Sequence, residues 1–184
     1  DVISVIRDLE KQQNYEFSVE QKDAIVSLVE PCSYSALVGK AGTGKTSVLR
    51  AVSASYSQAG YKVIGTSFQG AAVGELGSSL GESMDAGYTL SKLNKEWRLI
   101  DQDANPKEKI SEYELTNKTV VIVDEVGMAA RSLLKPLLDR AQEKGSKVIC
   151  VGDAGQIAAI DRGDISRILL ADANVLQEVH RQKD

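Results

Sequence analysis

Residues 36–52, "ALVGKAGTGKTSVLRAV", pass from an apolar run through a glycine-rich loop into a helical pattern. Gly39, Gly44, Lys45 and Thr46 occupy the fixed positions of G-x-x-x-x-G-K-T. In a loop of this form the backbone N–H groups wrap a polyphosphate, the lysine reaches the β- and γ-phosphates, and the threonine hydroxyl binds Mg²⁺. Gly39, Lys40, Ala41, Gly42, Thr43, Gly44, Lys45, Thr46 and Ser47 are therefore the expected phosphate cradle. The helix that follows adds the positive end of its dipole. A plain strand-to-helix turn would need one glycine or two, so the flanks decide. "YSALVG" (34–39) reads as a buried strand and "KTSVLRAVSASYSQAG" (45–60) as a helix ended by Gly60. The expected ligand is a nucleoside triphosphate.

Working outward, 184 residues with 42% apolar and 26% charged side chains fit one full-sized core with a small extension. No apolar run approaches the ~20 residues of a membrane span, and no signal peptide opens the chain. Because it begins at "DVISVIRDLE" without methionine, the chain is expected to be a piece of a longer protein. Cys32, Cys150 and a single histidine make neither a disulfide framework nor a metal site, which suits a reducing cytoplasm. Cys150, inside "KVICVGD", reads as a small buried hydrophobe. The net charge of −4 speaks against a protein that coats DNA, but allows a motor with a narrow, locally cationic groove.

Along the chain, helices are expected at 1–13, in "SVEQKDAIVSLVE" (18–30), "QGAAVGELGSSL" (69–80), "TLSKLNKEWRLI" (89–100), "RSLLKPLLDRAQEKG" (131–145) and "RGDISRILL" (162–170). Strands are expected in "YKVIGTS" (61–67), "KTVVIVDEVG" (118–127), "SKVICVGD" (146–153) and "NVLQEV" (174–179). "GSSLGESMDAGY" (77–88) reads as loop, and Pro136 should kink or break its helix. Strands that are apolar on consecutive residues and alternate with helices imply an α/β fold, a mostly parallel sheet with helices on both faces.

Two further stretches carry chemistry. In "VVIVDEVG" the apolar run delivers Asp124 to the C-terminal edge of the sheet, where ligands bind in such folds. There Asp124 would hold Mg²⁺ opposite Thr46, and Glu125 would orient and deprotonate an attacking water. "VGDAGQ" ends the next strand in the same manner. Its Gln156 suits a hydrogen bond to the γ-phosphate or the water, or simply starts a helix, and Asp153 suits a helix cap.

"GKAGTGKT", "VVIVDEVGM", "VGDAGQIAAIDRGD" and "LQEVHRQ", in this order and spacing, resemble the N-terminal RecA-like motor lobe of RecD-like superfamily 1 DNA helicases. The likeness is greatest to the helicase part of conjugative relaxase–helicases of the TraA/MobL type. It runs from Phe17 to Arg181, so residues 1–16 read as a helical extension and 17–184 as the P-loop NTPase lobe. The resemblance implies an ATP- and Mg²⁺-dependent motor moving 5′ to 3′ on single-stranded DNA. A second RecA-like lobe and a relaxase domain would lie elsewhere in the same chain, and the lobe alone would bind nucleotide but hydrolyse it poorly. The resemblance also assigns residues. Gln21 matches the glutamine that reads adenine, although Ser18-x-x-Gln21 fits a capping box equally well. Arg181 matches an arginine that reaches the γ-phosphate. Thr66, Ser67, Gln69 and Gly70 lie where the family contacts the DNA backbone, and Lys92, Lys95 and Trp97 lie in a second DNA-facing segment, where they would supply charge and stacking, although Trp97 fits the core equally well. A lysine frequent near position 71 is alanine here.

A small-molecule P-loop kinase shares the phosphate loop but needs an arginine-bearing lid; a non-catalytic scaffold lobe would not keep every catalytic position filled. The Asp124–Glu125 pair, Gln156 and "HRQ" favour the motor.

Overall fold

The apolar runs fold as strands buried on both faces, since side chains alternate across a strand and helices cover each side. A computed structural model describes residues 1–102, 111–126, 131–153, 155 and 173–177. Its strands are β1 (Tyr34–Gly39), β2 (Lys62–Ser67), β3 (Ala86–Thr89), β4 (Thr119–Val123), β5 (Lys147–Gly152) and β6 (Asn174–Leu176). They form one sheet in the order β3-β2-β4-β5-β1-β6, and every pairing is parallel.

The helices are α1 (Val2–Gln13), α2 (Val19–Val29), α3 (Lys45–Gln58), α4 (Gly70–Leu80), α5 (Leu90–Asp101) and α6 (Arg131–Lys144). On one face, Val121 and Val123 of β4 pack with Leu93 and Trp97 of α5 and Leu134, Leu137 and Ala141 of α6. On the other, Val120 and Ile122 join Ile25 and Leu28 of α2, Val48 and Val52 of α3, and Leu76 and Leu80 of α4. The P-loop α/β architecture expected from the strand–helix alternation is the one found. Cys150 is fully buried in β5, and burial pushes its thiol up to about 12.

Residues 1–16 provide α1, whose Ile6 shares the core of α2 and α3. Two expectations are corrected. The stretch 77–88 is not all loop: it ends α4, makes a short 3-10 turn at Gly81–Ser83 and forms edge strand β3. Only four residues long and without β-branched residues before Thr89, β3 carries little strand signal of its own. Its pairing begins one residue earlier, where the Asp85 carboxylate accepts the Val63 N–H at 2.7 Å and the Asp85 N–H donates to the Val63 carbonyl. Of the kink or break expected at Pro136, the break does not occur: α6 runs on through it to Lys144. Its missing N–H costs one bond in the second turn, and the apolar face of Leu134, Leu137, Leu138 and Ala141 holds the helix to the sheet. The helix expected at 162–170 lies outside the described residues.

Candidate nucleotide site

β5 stands between β1 and β4, so three adjacent strand ends meet at one edge of the sheet. Gly39 closes β1, Asp124 follows β4 and Asp153 follows β5. Gly39 has no room for a side chain, because a Cβ there would overlap the Thr43 hydroxyl. Gly42 and Gly44 hold positive φ angles of 83° and 81°, which let the loop curl back over the strand end. The Lys40 carbonyl accepts the Thr43 hydroxyl at 2.9 Å and closes the curl. Gly44 then caps α3 without a side-chain hydrogen bond, so no side chain competes for the first N–H groups of the helix. The Lys45 ammonium donates to the Gly39 and Lys40 carbonyls at 2.6 and 3.0 Å.

Lys45 and Thr46 line a cleft of about 330 Å³ together with Gly39, Ala41, Asp124, Glu125 and Asp153. The expected loop, metal and water-activating residues are thus in one place. Asp124 Oδ1 accepts the Glu125 N–H at 2.9 Å, while the Asp124 N–H extends the ladder to the Thr66 carbonyl. Burial raises the Asp124 carboxyl; the Glu125 N–H and Lys45 pull it down, and Glu75 pushes it up. Glu125 sits at φ 51°, a left-handed conformation uncommon for a side chain of this type.

The Thr46 hydroxyl and Asp124 carboxylate are hard oxygen donors facing the same cleft. Among the described residues no group of three His, Cys, Asp or Glu could hold a metal ion. That set suits Mg²⁺, which keeps most of its waters and takes one or two protein ligands beside phosphate oxygens.

Gln21 is fully buried beneath the loop. Its amide donates to the Thr43 carbonyl at 3.4 Å, and its oxygen accepts from the Ser18 N–H and the Tyr15 hydroxyl. The Ser18 hydroxyl in turn accepts the Gln21 N–H, completing the capping box that the spacing allowed.

Thr66 and Ser67 do not reach the surface. Both are fully buried at the end of β2, a strand flanked on both sides, and their hydroxyls have no partner among the described residues. Phe68, Gln69 and Gly70 are exposed. Trp97 is core rather than a stacking platform, 3% exposed with its indole N–H donating to the Tyr113 carbonyl at 2.8 Å. Lys92 lies over the Tyr88 and Tyr113 rings, and Lys95 is exposed. Gln156 and Arg181 lie outside the described residues.

Sequence reading missed Glu75 and Ser79 of α4, which also line the cleft. No motif announces them. Their signal is the i, i+4 spacing beside the buried pair Leu76 and Leu80, which sets a polar stripe next to the core-facing one.

A parallel sheet carrying a phosphate loop and an acidic pair across one cleft defines a P-loop nucleotide-binding domain. The chain belongs to the family described as "AAA domain", whose model matches residues 16–184. It is 32% identical over 172 residues to the conjugal transfer protein TraA of Agrobacterium fabrum, and 31% over 169 residues to that of Rhizobium radiobacter. Each match covers 91% of this chain, which spans 14% of the length of either relative. Among solved structures, Pif1 helicase from Candida albicans superposes with a TM-score of 0.58 at 20% identity, over 90% of this chain and 41% of that one. Bacteroides Pif1 in complex with ADP-AlF4 gives 0.53 at 19%, over 91% and 43%. The TraA relatives agree with the conjugal-transfer part of the resemblance, and the solved structures with its fold.

Proposed function

We propose that this chain is the ATP-binding lobe of an ATP-driven DNA helicase, part of a longer conjugative-transfer protein that acts in the cytoplasm. The observation that carries the reading is the convergence of Lys45, Thr46, Asp124 and Glu125 on one cleft. The Lys45 ammonium exchanges its two loop carbonyls for the β- and γ-phosphates, and the loop N–H groups and the start of α3 take the remaining charge. Thr46 and Asp124 would hold Mg²⁺, which would supply neutralisation of the phosphate charge. Glu125 accepts the proton of the attacking water, held in place by the Asp124 hydrogen bond to its backbone. Gln21 supports Thr43 from below, and adenine binds on its side of the loop. Gln156 and Arg181 complete the γ-phosphate contacts.

Single-stranded DNA passes over the exposed Gln69 and Gly70, and a second RecA-like lobe closes both the nucleotide site and the DNA channel. Movement is 5′ to 3′. The lobe alone hydrolyses ATP weakly, because the catalytic groups of the second lobe are absent from it. The names of the relatives and of the structural neighbours support this reading over a small-molecule kinase or a scaffold.

The test is fluorescence anisotropy of a labelled single-stranded oligonucleotide, run on residues 1–184 and on the longer protein. With only about two or three phosphate contacts expected on this lobe, binding by the short chain should be weak. Its slope of log affinity against log salt should be shallow, about −0.7 per phosphate neutralised. Binding should tighten in the longer protein. No binding by the longer protein would overturn the helicase reading.

A further inference from the structure

The nucleotide cleft has an acidic wall, and one of its carboxylates, Glu75, lies outside the sequence motifs. α4 is seated on the core by Ala72, Leu76 and Leu80. The Arg50 Nε of α3 donates to its Ser79 carbonyl at 2.7 Å, which ties it to the helix that follows the phosphate loop. That seating turns Glu75 toward the cleft, alongside Lys45, Thr46, Asp124 and Glu125. The Glu75 side chain makes no hydrogen bond or ion pair among the described residues. It is close enough for its charge to be felt at Asp124. With Asp124 and Glu125 it sets three carboxylates around the Lys45 ammonium among the described lining residues.

Such a wall repels a free polyphosphate and attracts a divalent cation. We propose that Glu75 is a specificity residue of the nucleotide cleft, selecting the magnesium-bound nucleotide over the metal-free one. The inference rests on the nucleotide reading above and assigns a role to a side chain which that reading does not use. Glu75 needs no direct contact with the metal for this, because its charge acts across the cleft.

The test measures the affinity of the 184-residue chain for the fluorescent nucleotide mant-ADP, in Mg²⁺ and in EDTA, at low ionic strength. In Glu75→Gln the ratio of the EDTA to the Mg²⁺ dissociation constant should fall by about fivefold or more, mostly through tighter metal-free binding. The difference should shrink as added salt shortens the Debye length to about 8 Å or less. Glu75→Asp should keep the wild-type ratio. So should Glu82→Gln, an exposed carboxylate of the 3-10 turn that does not line the cleft. An unchanged ratio in Glu75→Gln, with wild-type binding in Mg²⁺, overturns the inference and leaves the nucleotide reading standing. No binding by the wild type in Mg²⁺ overturns both.

Discussion

Lys45 and Glu125 hold opposite ends of the proposed chemistry, and the structure treats them differently. The Lys45 ammonium is held by two loop carbonyls, so it is already aimed into the phosphate cradle. Lys45→Ala removes the charge that offsets the phosphates, and ATP affinity measured by calorimetry should drop by tenfold or more, about 1.4 kcal/mol. Glu125 is exposed and its backbone is held at φ 51°, a conformation that costs roughly 1–3 kcal/mol unless the surroundings enforce it. Here the Asp124 carboxylate grips the Glu125 N–H. Glu125→Gln keeps that backbone bond and loses only the base. In the longer protein it should retain nucleotide affinity while steady-state ATP turnover falls by at least about a hundredfold.

At the scale of elements, α4 is the least self-sufficient helix lining the cleft. Gly70, Gly74 and Gly77 stand within its eleven residues, each costing up to about 1 kcal/mol relative to alanine. The three differ in what surrounds them. A Cβ on Gly74 would meet nothing within 4 Å, whereas one on Gly77 would press on Met84. Gly74→Ala should therefore stabilise the fold by about 0.5–1 kcal/mol in urea denaturation. The same change at Gly65 of β2 should destabilise it, because a Cβ there would overlap the Met84 sulfur and crowd Leu76. Met84 fills the space left by Gly65, Gly77 and Gly87, which packs α4 and β3 onto β2.

At the scale of the molecule, the loop, α3, α4 and the ends of β4 and β5 each contribute to one cleft, so ligand binding draws on most of the fold. A nucleotide–Mg²⁺ complex that binds only the native state at about a hundredfold above its dissociation constant adds about 2.7 kcal/mol. For a domain of this size that should raise the melting temperature by about 5–10 °C. The shift should vanish in Lys45→Ala and shrink when EDTA replaces Mg²⁺. A melting curve indifferent to ADP and Mg²⁺ would count against the cleft as a nucleotide site. Among the described residues no helix is long and apolar enough to cross a membrane.

The phosphate loop, the Asp124–Glu125 pair and the parallel sheet were legible in the residues because each rests on local chemistry. A glycine pattern sets a loop's backbone, a four-residue apolar run sets a doubly covered strand, and a polar residue at its end sets a ligand edge. The capping box at Ser18 and Gln21 was equally local, since both groups lie within one helical turn. Burial belongs to the assembled sheet. Thr66 and Ser67 looked like surface donors, and Trp97 a possible stacking platform, until β3, β4 and Tyr113 closed around them. Strand β3 was invisible because its pairing partner, β2, lies about twenty residues upstream and supplies what its own short sequence lacks. Glu75 joined the cleft for the same reason. Its helix is seated by Leu76, Leu80 and Arg50, and only that seating turns an ordinary exposed carboxylate toward the phosphate loop.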